Sequence, residues 1–276
     1  MTLAGKVAVV TGSGRAGGLG EAIARRLAAD GAAVVVSDIG AKRDAATPED
    51  MTGGGDGMSA VARAIRNAGG AASIFSCDVR DHARVRAMAA HAVAEHGGLD
   101  IWVNNAGIGY IMKPLLEVSP EDWGAVIDVN LTGAFYGLQA AAEIMISQGR
   151  GGRIVNIASQ AAKSGFPHAQ AYTASKHGLV GLVRSAATEL GPHGITVNNV
   201  CPNHVTTGLG AWQNEHFAAL QGVSVPDYLK AMAARIPLGR PGRPEDTAAA
   251  VAFLCSDQAA YITAESMNVS GGEEPH

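Results

Sequence analysis

Charged and aromatic side chains are scarce in this chain. Asp, Glu, Lys and Arg make up 17% of its 276 residues, and Phe, Trp and Tyr only 5%. That low charge, beside 47% hydrophobic residues, argues against intrinsic disorder, because disordered chains are charge-rich and apolar-poor. Positive charge is not in excess: 21 Lys and Arg stand against 25 Asp and Glu, a formal charge of −4. Duplex nucleic acid is therefore not the expected partner, since phosphate binding needs a basic face. Cysteine is rare as well. Cys77, Cys201 and Cys255 lie far apart with no CxxC spacing, which fits neither a zinc site nor a disulfide framework and suits a reducing compartment. No apolar run approaches the ~18 residues of a membrane span. The chain enters a strand-like run at residues 6–10 with no signal-peptide pattern, so a cytoplasmic protein without a membrane partner is expected.

What the chain does have is glycine, 36 of 276 residues, with no collagen-like period. The length suits one domain over 1–276, with no internal repeat or Pro/Ser-rich linker. Short β-branched runs at 7–11, 33–38, 72–78, 99–104, 152–158, 195–200 and 267–269 alternate with amphipathic helical patterns at 19–29, 58–67, 82–95, 120–147, 172–190 and 244–255. Nearly continuous apolar strands are buried on both faces, and their alternation with helices implies a parallel sheet. The expected fold is α/β: a single-domain Rossmann fold, a doubly wound seven-stranded parallel sheet with helices on both faces. Two stretches break the rhythm. Residues 40–57 carry Pro48 and three consecutive glycines and read as a surface insertion. Residues 203–235 carry Leu209, Trp212, Phe217, Leu220 and Tyr228, and read either as a mobile substrate-binding lid or as a helical pair packed on the body.

After the first strand comes Thr11-Gly12-Ser13-Gly14-Arg15-Ala16-Gly17-Gly18-Leu19-Gly20, which then opens a helix. Glycines let backbone approach a pyrophosphate, and a helix N-terminus offers free N–H groups and partial positive charge. Asp38, followed by Ile39, ends the second strand 18 residues after Gly20, where a carboxylate can accept hydrogen bonds from the adenosine ribose. The same carboxylate opposes a 2′-phosphate. At ~5 Å and an effective dielectric of ~20, each unit of phosphate charge costs roughly 3 kcal/mol, which favours NAD over NADP. Arg15 is a cation in the same turn and works against that preference.

Ser159 ends the run Gly152-Arg153-Ile154-Val155-Asn156-Ile157-Ala158, and Tyr172 and Lys176 follow in Tyr172-Thr173-Ala174-Ser175-Lys176, on one helical face. Together with the glycine turn, Asp78-Val79, Asn104-Asn105-Ala106-Gly107, Asn130 and the segment from Pro202 to Thr207, this order resembles the short-chain dehydrogenase/reductase family in its standard-length, non-extended branch. The resemblance covers nearly the whole chain. It implies an oxidoreductase interconverting a secondary alcohol and a ketone by hydride transfer. Tyr172 would be the general acid/base, Lys176 would contact the nicotinamide ribose and lower the tyrosine pKa, Ser159 would hold the substrate oxygen, and Asn130 would hold a relay water. Gly12, Gly18, Leu19, Asp38, Ile39, Asp78, Val79, Asn105, Ala106, Gly107, Tyr172, Lys176, Pro202, Val205 and Thr207 would contact the dinucleotide. The family also implies a homotetramer, consistent with surplus apolar positions in the patterns at 120–147 and 172–190.

Elementary electrostatics agrees with the implied roles. A tyrosine with a pKa of ~10 is a poor base near neutrality, and lowering it by ~2–3 requires about 3–4 kcal/mol. A lysine ammonium at ~4 Å, with effective dielectric ~20, supplies roughly that much.

Three departures stand out. The glycine turn has two residues more between Gly12 and Gly18 than the family's spacing. Asn203 follows Pro202 where glycine is usual, either orienting substrate or simply tolerated, since asparagine accepts positive φ better than most residues. The stretch 40–57 is similar to insertions in terpenoid-alcohol and hydroxyacyl-CoA dehydrogenases of the family. His168, His204 and His216 lack partners for a metal site, so no metal is expected, while His168 and His204 are candidates for the substrate pocket. The lid composition suggests a medium-sized, mostly apolar or alicyclic alcohol. Alternatives are a 3-hydroxyacyl-type or other ketoreductase using NADP, a sugar-nucleotide epimerase or dehydratase, and a non-catalytic dinucleotide sensor.

Overall fold

The computed structural model describes residues 2–40 and 55–273. The strands are β1 (Val7–Val10), β2 (Ala33–Asp38), β3 (Ala72–Ser76), β4 (Ile101–Asn104), β5 (Gly152–Ile157), β6 (Ile195–Pro202) and β7 (Ser266–Val269). They form one seven-stranded sheet in the order β3-β2-β1-β4-β5-β6-β7, with every pairing parallel. The helices are α1 (Leu19–Ala29), α2 (Gly55–Asn67), α3 (His82–His96), α4 (Pro120–Ile127), α5 (Gly133–Gln148), α6 (Gln170–Leu190), α7 (Gly208–Gln221), α8 (Val225–Arg235) and α9 (Pro244–Cys255). This is the doubly wound α/β arrangement. The strand order reverses between β1 and β4, which opens a crevice at their carboxyl ends.

Each central strand is buried on both sides, and its alternate residues feed two cores. Ala8 and Val10 of β1 pack with Ile23, Val61 and Val251 of α1, α2 and α9. Val7 and Val9 face Met88, Met145 and Val183 of α3, α5 and α6. Side-chain alternation along a strand sends successive residues to opposite layers, so a run of β-branched residues satisfies both at once.

Beneath the carboxyl edge runs a ladder of buried amides. In-register residues Asn104, Asn156, Asn199 and Ser266 stand side by side on β4 to β7. Asn104 Nδ2 donates to Asn156 Oδ1 at 2.8 Å, Asn156 Nδ2 to Asn199 Oδ1 at 3.1 Å, and Asn199 Nδ2 to Ser266 Oγ at 3.0 Å. Trp102 is fully buried, and its indole N–H ends the ladder on Asn104 Oδ1 at 2.7 Å. α5 crosses so close that a Cβ at Gly137 would fall on Asn104 Oδ1 and Trp102 Nε1.

Several boundaries differ from the sequence expectation. The helix expected over 120–147 is two helices, α4 and α5, joined by a π-turn at Asp128–Thr132. The wider turn lets buried Asn130 reach the Ile108 backbone and Ser175 instead of continuing the regular ladder. The strand expected from 99 starts at Ile101, because Leu99 gives its N–H and C=O to the Gln148 side chain. Asp100 is structural: its carboxylate accepts the Val7 N–H at 2.9 Å and pairs with Arg150. Of the stretch 40–57, residues 41–54 lie outside the described residues, and α2 begins at Gly55 rather than 58. Within 203–235, α7 and α8 form a helical pair with its own cluster of Ala218, Tyr228, Met232 and Ile236. No helix among the described residues is long and apolar enough to cross a membrane.

Candidate active site

The cavity at the carboxyl edge has a volume of about 570 Å³, within the roughly 300–1,000 Å³ of small-molecule and cofactor clefts. Gly12, Gly18, Leu19, Asp38, Ile39, Asp78, Val79, Asn105, Ala106, Gly107, Ser159, Tyr172, Lys176, Pro202, Val205 and Thr207 all line it. Asn130 does not. It stands behind the wall at 2% exposure.

At one end is the glycine turn. Gly12 has φ +63°, and a Cβ there would come within 2.7 Å of Ala106 Cα, so turn and strap can meet only through a glycine. Thr11 Oγ1 accepts the N–H groups of Asn105 and Ala106 at 3.0 Å each, and Asn105 Nδ2 donates to the carbonyls of Thr11 and Gly12 at 2.9 Å each. The α1 N-terminus at Gly18 has no side-chain cap. Asp38 is buried, and its Oδ2 accepts the Gly14 N–H at 3.0 Å while Oδ1 accepts that of Ile39 at 2.8 Å. The two extra residues of the turn are thereby absorbed: Ser13 is buried against Val10 and Ser37, Gly14 hangs on Asp38, and Arg15 reaches the cavity wall. Asp78 is engaged by Arg80 at 3.0 Å. Uncapped helix N–H groups, a glycine backbone and a carboxylate at the end of β2 are the donor and acceptor set that a nicotinamide dinucleotide requires, so the residues fit that cofactor.

At the other end the β5 exit delivers Ser159, whose Oγ accepts the Ala161 N–H at 3.1 Å. The first turns of α6 deliver Tyr172 and, one turn on, Lys176. Lys176 is 5% exposed, donates to the Ile157 carbonyl at 2.7 Å and lies 5.5 Å from the Tyr172 ring centroid. Burial pushes the Tyr172 phenol above its usual pKa, and a hydrogen bond with Ser159 opposes the rise. Burial also pushes Lys176 down, to about 8. Both groups are driven toward their neutral forms, because the low-dielectric site penalises phenolate and ammonium alike.

Asn130 Nδ2 donates to the Ile108 carbonyl at 2.9 Å and to Ser175 Oγ at 3.2 Å, while its Oδ1 accepts the Ile108 N–H at 2.8 Å. Both amide hydrogens of Asn130 are therefore in use. Val205 bridges to Gly242, and Thr207 Oγ1 caps α7 by accepting the Gly210 N–H at 3.1 Å.

Other expectations divide. His204 lines the cavity, whereas His168 faces His216 at 3.4 Å. Leu209, Phe217 and Tyr228 line the wall, but Trp212 turns away and stacks on His216 at 5.4 Å. Sequence reasoning missed Glu273 and Arg235 on the wall and Cys201, whose thiol sits beside Lys176 and Tyr172. None of these lies in a recognisable motif. Glu273 alone left a signal, a carboxylate shortly after the last strand of a parallel sheet.

Comparison with known proteins places this geometry. The family model described as "Enoyl-(Acyl carrier protein) reductase" matches residues 12–274. The chain is 38% identical over 267 residues to L-2,3-butanediol dehydrogenase of Corynebacterium glutamicum, covering 97% of this chain and 98% of that one. Its structure resembles that of carveol dehydrogenase from Mycobacterium avium in complex with NAD, with TM-score 0.91, 32% identity and 99% of each chain covered. It also resembles actinorhodin polyketide ketoreductase with NADPH, with TM-score 0.88, 37% identity and 98% of each chain covered. The chain belongs to the short-chain dehydrogenase/reductase family of oxidoreductases, which use a nicotinamide dinucleotide.

Proposed function

We propose that this protein is an NAD-dependent dehydrogenase that interconverts a secondary alcohol and its ketone, with Tyr172 as general acid/base. One observation carries the reading: Ser159, Tyr172 and Lys176 converge on the wall of the same cavity whose far end is the glycine turn and Asp38. Ser159 Oγ orients the substrate oxygen beside the phenol. In ketone reduction Tyr172 gives its proton to that oxygen, and a phenol kept neutral by burial is ready to do so. In alcohol oxidation the phenolate takes the hydroxyl proton, so this direction is favoured as pH rises. When bound, the nicotinamide supplies the hydride acceptor or donor and, in its oxidised form, a positive charge that favours the phenolate. Lys176, fixed on the Ile157 carbonyl, stands over the Tyr172 ring to hold the ribose and pass protons.

Asp38 on the wall supports NAD over NADP. Arg15 on the same wall, and the NADPH-bound relative, favour the ketoreductase alternative. A sensor without turnover would not need Ser159, Tyr172 and Lys176 assembled around one cavity. Leu209, Phe217 and Tyr228 suit a medium-sized substrate with an apolar or alicyclic body, and carveol and 2,3-butanediol, named in two relatives, are both secondary alcohols.

The test follows nicotinamide absorbance with NAD and with NADP against cyclic, aromatic, steroid and hydroxyacyl alcohols. Turnover with NAD that falls at least about a thousandfold in Tyr172→Phe is the expected result. Preference for NADP would overturn the Asp38 reading. Undiminished turnover in Tyr172→Phe would overturn the acid/base assignment.

A further inference from the structure

On the side of the cavity next to α8, Asn203, His204 and Arg235 converge on one carboxylate. Glu273 lies in the segment after β7, and its side chain is only 13% exposed. Its Oε2 accepts a 2.6 Å hydrogen bond from Asn203 Nδ2 and lies 3.5 Å from His204 Nε2. Its Oε1 accepts from Arg235 Nε at 3.1 Å. Asn203 and His204 form the exit of β6, immediately before Val205 and Thr207. Arg235 is the last residue of α8. One carboxylate thus joins the C-terminal segment, the β6 exit and the far helix of the lid pair.

Asn203 is committed at both ends of its amide, since Oδ1 also accepts the His204 N–H at 2.8 Å. A glycine at 203 could make neither bond. The asparagine and Glu273 therefore work as a pair, and the asparagine amide is held by the C-terminal segment. The apolar cluster of α7 and α8 is a small body separate from the two main cores, and the half-exposed Arg235 ties the end of α8 to the buried Glu273 carboxylate.

We propose that Glu273 is a positioning residue that couples the seating of α8 to the shape of the β6 exit, so that lid closure and dinucleotide retention are one equilibrium. The coupling to the dinucleotide rests on the function proposed above; the tie between α8 and Glu273 does not. When Arg235 and Glu273 are paired, Asn203 and His204 are held in the conformation that sets Val205 and Thr207 on the cavity wall. When α8 swings away, the β6 exit loses its outer support.

The experiment compares wild type, Glu273→Ala, Arg235→Ala, Arg235→Lys and the double alanine variant. Amide hydrogen exchange is measured on the protein alone, and NADH affinity by fluorescence titration. The expected result is exchange at least about tenfold faster across α8 in both alanine variants, with β1 and β5 amides unchanged. The NADH dissociation constant should rise about tenfold in each, the double variant should be no worse than Glu273→Ala, and Arg235→Lys should recover most of the affinity. A Glu273→Ala protein with unchanged α8 exchange, or with unchanged NADH affinity, overturns the coupling. A wild type that binds neither NADH nor NADPH overturns the proposed function together with the coupling, and α8 exchange still reports on the tie by itself.

Discussion

Replacing Asn156 at the centre of the amide ladder should cost more stability than any surface change near the site. Asn156 is fully buried, and its Oδ1 and Nδ2 bond to Asn104 and Asn199. Alanine strands one Asn104 amide hydrogen and the Asn199 carbonyl oxygen in a region closed to water. Asn104 keeps its other bond to the Ala134 carbonyl at 3.0 Å, so the damage is confined to those two groups. A stranded buried polar group costs about 1–3 kcal/mol, so the pair costs about 2–6 kcal/mol, against a total stability of order 5–15 kcal/mol for such domains. Urea unfolding followed by circular dichroism at fixed protein concentration measures it.

Asn156→Asp separates hydrogen bonding from packing. The introduced carboxyl keeps the shape and the acceptor for Asn104. When ionised it presents an oxygen to Asn199 Oδ1, and when protonated it can donate there. Its folded pKa must therefore lie above the ordinary carboxylate value of ~3.9. A raised folded pKa gives stability that is fully present below the unfolded value and lost as pH rises through the folded one. The variant should be unstable at neutral pH and gain on wild type as pH falls toward ~4. A loss below about 1 kcal/mol in Asn156→Ala, or no relative gain on acidification in Asn156→Asp, refutes the ladder's role.

Lys176 should titrate in the opposite sense. Its folded pKa of about 8 lies below the ordinary 10.5, so the unfolded chain binds more protons between them, and stability from this group rises with pH across that window. At about 1.4 kcal/mol per pH unit, the buried ammonium costs at most about 3.5 kcal/mol below pH 8. Lys176→Met should then gain on wild type at pH 7, with the gain shrinking by pH 10, and thermal unfolding of the protein alone would show a flat difference if the idea were wrong. Trp123 of α4 and Phe135 of α5 are exposed apolar residues at 44% and 42%, on helices expected to pack in a homotetramer. Charging both to Glu should reduce the assembly seen by sedimentation velocity, and an unchanged distribution would remove α4 and α5 from any interface. Asp38→Asn keeps an acceptor for the Gly14 N–H while removing the charge, and should move the NADP-to-NAD preference up to about a hundredfold. Asp38→Ala loses the acceptor too and should weaken both dinucleotides.

The strands and the α6 face that carries Tyr172 and Lys176 were legible because their signals are local. Contiguous β-branched residues mark doubly buried strands, and Tyr172 and Lys176 are one helical turn apart whatever surrounds them. The amide ladder was not legible. Asn104, Asn156 and Asn199 become neighbours only through the parallel register of β4, β5 and β6, which no short window contains. The π-turn escaped for the same reason, since what draws Asn130 inward is the backbone of Ile108 and the Ser175 hydroxyl. The burial of Tyr172 and Lys176 was not legible either. Spacing puts Tyr172 and Lys176 on one helical face, but only the fold reveals that both are buried, where desolvation pushes the phenol up and the ammonium down.

The longer glycine turn shows how a departure from a motif can be absorbed without moving the site. Two added residues between Gly12 and Gly18 need hydrogen-bond partners, and the protein takes them from the ends of β1 and β2. The Ser13 hydroxyl donates to the Val10 carbonyl at 2.8 Å and accepts the Ser37 N–H at 3.1 Å, while the Gly14 N–H goes to the Asp38 carboxylate. Asp38 is thereby both a wall of the cavity and a brace for the turn opposite it. A carboxylate that accepts both the Gly14 and the Ile39 N–H is held in one orientation, so little of its side-chain entropy is left to lose. The same economy governs Asn203 and Glu273 at the other end of the cavity. At the glycine turn and at Asn203, the departure from the family pattern is matched by a polar partner distant in sequence, and the partner explains why the departure is stable.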